Sequence, residues 1–136
     1  DQPVKYVFLE NAQGHAILGS NYWQEQGAKI VVNRLAAEVI EDHGEDILKQ
    51  MQIGRRDKSL GTKLVEPDII FENEWIIELG DEQIEARYLG PAHGPGDIVL
   101  RPPHQELVIT RDLAFHERLL PVFGGCRHSG LARNLE

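Results

Sequence analysis

Cysteine is nearly absent from this chain of 136 residues. The single Cys126 excludes an intrachain disulfide framework and a cysteine-based zinc site. It stands beside Gly124-Gly125, with no nucleophile signature around it. Positive charge is also scarce: the net charge is −8 and no Lys/Arg cluster breaks it. That excludes a nucleic-acid-binding face. Arg55-Arg56 and Lys58 fall in one polar stretch and read as solvated. No apolar run approaches the ~18 residues a membrane-crossing helix needs. No phosphate-binding loop is present, because Gly90 to Gly96 lacks the Lys-Ser/Thr that such a loop requires. No Ser-His-Asp order, repeat or low-complexity segment offers another class. The opening residues carry neither an initiator Met nor a signal-peptide pattern. These readings favour a soluble protein, with the cytoplasm ahead of other compartments.

What the chain does have is alternation of strand and helix patterns within one domain's length. Residues 4 to 9 read as a buried strand and 17 to 26 as a short helix stopped by Gly27. Residues 29 to 32 read as a second strand. Asn33 is placed to cap a helix running to about Met51, with Gly44 a weak point in its middle. Its apolar positions are Ala36, Ile40, Ile47 and Met51. Residues 52 to 66 read as an exposed connection. Strands follow at 69 to 71, 75 to 79 and 83 to 88, with Gly80-Asp81 as a tight hairpin turn. Ile98 to Leu100 and Leu107 to Ile109 are expected to pair as a further hairpin across Pro102 to Gln105. The tail ends in what reads as the start of a helix, Leu131 to Leu135.

The chemistry concentrates in Gly90-Pro91-Ala92-His93-Gly94-Pro95-Gly96-Asp97. Gly and Pro make this a stiff loop between two strands. His93 enters one strand of the expected hairpin and Asp112 leaves the other, so both belong at one end of the sheet. Asp97 is placed to accept the loop's own amides.

This loop resembles the Gly-x-x-His-Thr-x-Gly-Asp loop of the metallo-β-lactamase superfamily. Thr110-Arg111-Asp112-Leu113 resembles the segment that supplies the family's bridging carboxylate. Val7 to Trp23 resembles the strand, loop and helix that carry its His-x-His-x-Asp-His motif. The resemblance implies an α/β fold, the metallo-β-lactamase-like αββα sandwich, here incomplete at both ends. It also implies that Asn11 and Gln13 stand at the two paired histidine positions, His15 at the aspartate and Ala16 at the last histidine. His15, His93 and Asp112 are then the matched strong metal ligands, with Asn11, Gln13 and Asp97 lining the pocket. Amides are weak zinc ligands. The expectation is therefore at most one zinc ion, or none.

Three functions compete at this point. One is a metal-dependent hydrolase attacking an ester, thioester or amide with activated water. The second is a non-catalytic binding module that keeps the polar pocket, and the third is a piece of a larger enzyme. His43 and His104 read as surface residues, His116 and His128 as residues of an irregular tail. Tyr22-Trp23 reads as packing its helix onto the sheet. A shortened sandwich would leave Val7, Leu9, Val31 and Ile98 in water and strand 4 to 9 with an open edge, so a homodimer is expected.

Overall fold

The computed structural model describes residues 2–114. The expected helix at 131 to 135, Cys126, His116 and His128 lie outside them. Strand β1 (Tyr6–Leu9) leads through two short helices, α1 (Gly14–Ile17) and α2 (Ser20–Glu25), to β2 (Lys29–Asn33). The long helix α3 (Arg34–Arg55) follows, then β3 (Ile69–Phe71), β4 (Glu74–Leu79), β5 (Glu82–Tyr88) and β6 (Ile98–Arg101). β1, β2 and β3 form a parallel sheet in that order; β4, β5 and β6 form an antiparallel one.

Alternation along the strands builds the layers. Leu9, Ile30 and Val32 point to one side, where they pack with Ala12 from the following loop and with Ile17 and Ala36 from the helices. Val31 points to the other, against Phe71, Ala86 and Ile98. Tyr6 and Phe8 meet Trp75 there, with ring centroids 5.4 and 5.7 Å apart. The order is therefore helices, parallel sheet, antiparallel sheet. These are three of the four layers of an αββα sandwich.

This packing corrects one expectation. Leu9, Val31 and Ile98 are buried within the single chain, and Val7 is half-buried. Each sheet covers the other's apolar face, so no second copy is needed for that purpose. Other local expectations change too. The helix expected over 17 to 26 begins only at Ser20, after Gly19 at φ +97, and a separate short helix ends at Ile17. Tyr22 and Trp23 are not buried against the sheet. They are exposed and stack edge to face on each other at 5.1 Å. The stretch 107 to 109 is not a strand: it touches β6 through one bridge, Leu100 to Ile109. Pro103–Gln105 forms a 3-10 turn between β6 and this stretch.

The long helix starts as expected. Asn33 Oδ1 accepts the amide of Leu35, and its Nδ2 donates to the carbonyls of Phe71 and Glu72. The helix continues past Met51 to Arg55. Gly44 is buried against Leu64; a Cβ there would lie 3.0 Å from Leu64 Cδ1. The apparent weak point is thus a close approach that lets residues 64 and 65 cover the helix.

Candidate metal centre and cavity

The chain emerges from the C-terminal end of parallel strand β1 into the loop Glu10 to Gln13. Ligand sites in sheets of this kind gather at such ends. The amide of Ile98 donates to the carbonyl of Glu10 at 3.0 Å, which ties this loop to the antiparallel sheet. The single bridge at Ile109 brings the chain back so that the 3-10 turn Arg111–Leu113 lies beside Glu10. Arg111 takes φ +48, a conformation costing about 1 kcal/mol in a non-glycine residue. Its guanidinium donates to Glu10 Oε2, which offsets that cost and holds the Arg111 pKa above its usual value.

Three candidate ligands converge here. His15 Nε2 lies 2.9 Å from Asp112 Oδ2 and 3.3 Å from Glu10 Oε1. One ligand atom from each of Glu10, His15 and Asp112 falls within 4.8 Å of the others. Glu10 Oε1 is buried and accepts no hydrogen bond. One imidazole and two carboxylates suit a single divalent cation such as zinc, manganese or iron. The orphaned oxygen gives such a cation a partner, while Arg111 already occupies the other oxygen. Among the described residues this is the one such group of three ligands.

Of the residues named from the sequence, His15 and Asp112 meet directly. Asn11 lies behind them, with Nδ2 3.4 Å from Asp112 Oδ2 and Oδ1 accepting the amide of Gln13 at 2.9 Å. His93 is buried and lines the same cavity as Asn11, Gln13 and His15, outside the three-ligand group. Asp97 is buried and closes its own loop by accepting the amide of Gly94, as its position suggested. Burial pushes its pKa up; the Gly94 amide, the neighbouring His93 and the Asn11 side chain act against that rise.

Glu10 was missed by sequence reasoning. The motif register directs attention to positions 11, 13, 15 and 16 and steps over it. The available signal was a carboxylate ending an apolar strand immediately before that motif.

The cavity has a volume of about 720 Å³. It runs from Gln13 and His15 past Leu18 and along α3 to Arg55. Two sequence readings change here. Arg55 is the last residue of α3 rather than part of a solvated loop, and His43, although exposed, lines the cavity.

No family model matches the sequence. Solved structures do. A metallo-β-lactamase from Pontibacter korlensis superposes with a TM-score of 0.76 at 18% identity, covering 98% of this chain and 56% of that one. The chain has the metallo-β-lactamase fold. The metallo-β-lactamase IND-7 gives 0.71 at 13% identity, over 98% of this chain and 53% of its own. FEZ-1 from Legionella gormanii gives 0.59 at 20% identity, over 89% and 47%. The chain thus spans about half the length of these solved chains. No helix of the described residues is long and apolar enough to cross a membrane.

Proposed function

We propose that this chain serves as a one-ion, metal-dependent hydrolase of the metallo-β-lactamase type, acting on an ester, thioester or amide. The observation that carries this reading is the convergence of Glu10, His15 and Asp112 beside a cavity, with a buried Glu10 oxygen that accepts no hydrogen bond. The shared fold supports it. A bound ion of this kind supplies a coordinated water with a pKa near ~7. The chain's own part is to present the three ligands, to hold Asp112 through Asn11, and to shape the cavity with His93 and Gln13.

A second reading has its own support. Arg111 pairs with Glu10, and amides stand at two motif histidine positions. Both weaken the site electrostatically and favour a module that binds without turnover.

Metal content measured on protein purified without chelators separates the readings. One equivalent is expected, lost in His15→Ala and kept in His43→Ala. Two tightly held zinc ions, or none at saturating zinc, would refute the one-ion site. One bound ion without turnover of ester, thioester or amide substrates would leave only the binding module. Self-association remains part of the proposal, now through strand pairing alone: among the described residues β1 pairs only with β2. Sedimentation at micromolar concentration should show a dimer, and a sole monomeric species would remove this part.

A further inference from the structure

The cavity carries information about its ligand that the metal centre does not. Val39, His43, Ile47, Met51 and Arg55 all line it, and they follow one another at intervals of four along α3. Side chains four apart form a continuous ridge on a helix. Sixteen residues of rise make this ridge about 24 Å long. Val39, Ile47 and Met51 give it apolar stretches; Gly14, next to His15, lies against Ile47 near its middle, and Arg55 stands at its C-terminal end.

Charge makes the second, independent observation. The chain contains 22 Asp and Glu residues, yet none of the residues lining this cavity is acidic. Three of the chain's 6 histidines are there, together with Arg55. In a protein of net charge −8, a wall without carboxylates and with a guanidinium at its end is complementary to an anion. Among the described residues Arg55 enters no ion pair, so none of them matches its charge.

We infer that the cavity binds an anionic amphiphile: an apolar, chain-like body lying along Val39, Ile47 and Met51, with a carboxylate at the Arg55 end. The apolar ridge explains the body and the acid-free, Arg-ended wall explains the charge. As a substrate class this rests on the hydrolase reading, since the scissile carbonyl would then lie towards His15. As a binding statement it stands on the cavity alone.

The test uses the full chain, stripped with EDTA, titrated calorimetrically with decanoate, decanol and decyltrimethylammonium. Decanoate should bind at least ~10-fold more tightly than decanol, and the cationic amphiphile should bind weakest. Arg55→Glu lies on the exposed end of the helix and should remove the preference for decanoate, with decanol affinity unchanged. Met51→Glu should weaken decanoate and decanol together. Circular dichroism on both variants identifies any loss of fold, and Arg55→Glu alone decides the matter if Met51→Glu does not fold. Absence of decanoate binding, equal affinity for acid and alcohol, or an Arg55→Glu protein that still prefers the acid would overturn the inference. Zinc uptake by the same preparation keeps the two readings apart. Zinc without decanoate sinks the ligand class only, and decanoate without zinc sinks the hydrolase only.

Discussion

The loop Glu10 to His15 and the loop Gly90 to Asp97 line one cavity, but their carboxylates are used in opposite ways. Asp97 is turned inward and buried, and its oxygen closes its own Gly/Pro loop. Burial raises its pKa. Glu10 and Asp112 are half-exposed and meet partners a hundred residues away in sequence, Arg111 and Asn11 respectively. One carboxylate shapes a scaffold; the others remain available to a ligand. Asn11 joins the two regions, reaching both Asp112 and Asp97. A neutral amide at that position links two carboxylates without adding the ligand a histidine would supply.

The comparison can be broken hardest at Gly96. Its φ is +77, and a Cβ there would sit 2.5 Å from the amide nitrogen of Ala36. Gly96→Ala should cost about 3 kcal/mol or more in urea unfolding, combining backbone strain with overpacking. Gly19 also has positive φ, but open space surrounds it. Gly19→Ala should therefore cost only about 1–2 kcal/mol. Equal losses in the two variants would show that the Gly90 to Asp97 loop is not clamped against α3.

Asn11→Ala comes next. It leaves the Gln13 amide and the Asp112 carboxylate, both part-buried, without this partner and should destabilise by about 1–3 kcal/mol. It should also change the zinc titration, because Asp112 loses its support. A stability loss with unaltered zinc uptake would show that Asn11 braces the fold alone.

A third carboxylate sharpens the contrast by pH. Asp68 accepts from the Ile30 amide, from Lys29 at 2.8 Å and from Gln24 at 3.0 Å, and its pKa falls to about 2. A carboxylate with a lowered folded pKa contributes stability above its unfolded value of 3.8, lost as pH falls towards 2. Asp97, with a raised pKa, acts in the opposite sense and favours the folded state as it protonates. Asp68→Asn should flatten the acid limb of the stability curve between about pH 4 and 2, by under ~1 kcal/mol because Asp68 is open to solvent. An unchanged acid limb would mean that other carboxylates govern it.

The smallest effect on stability is expected at the proposed metal site. His15→Ala, at an exposed position, should shift the unfolding midpoint by under ~0.5 kcal/mol while lowering zinc affinity at least ~10-fold. A large stability loss would assign His15 to the fold instead.

The sequence alone determined a good deal. The strand over 29 to 32, the Asn33 cap, the Gly80-Asp81 turn and the role of Asp97 were all readable, because each depends on neighbours within a few residues. The motif register also puts His15 and Asp112 in one site, and their side chains meet at 2.9 Å. Tertiary structure decided the rest. Whether Val31 and Ile98 are buried depends on a second sheet contributed by residues 74 to 101, a contact no local pattern encodes. Glu10 becomes a candidate ligand only because the turn at 111 to 113 returns to it, and Arg55 becomes a cavity residue only because α3 runs one more turn than its apolar spacing suggested. Local propensity acts over a few residues, while burial, ligand convergence and cavity charge are sums over segments far apart in the chain.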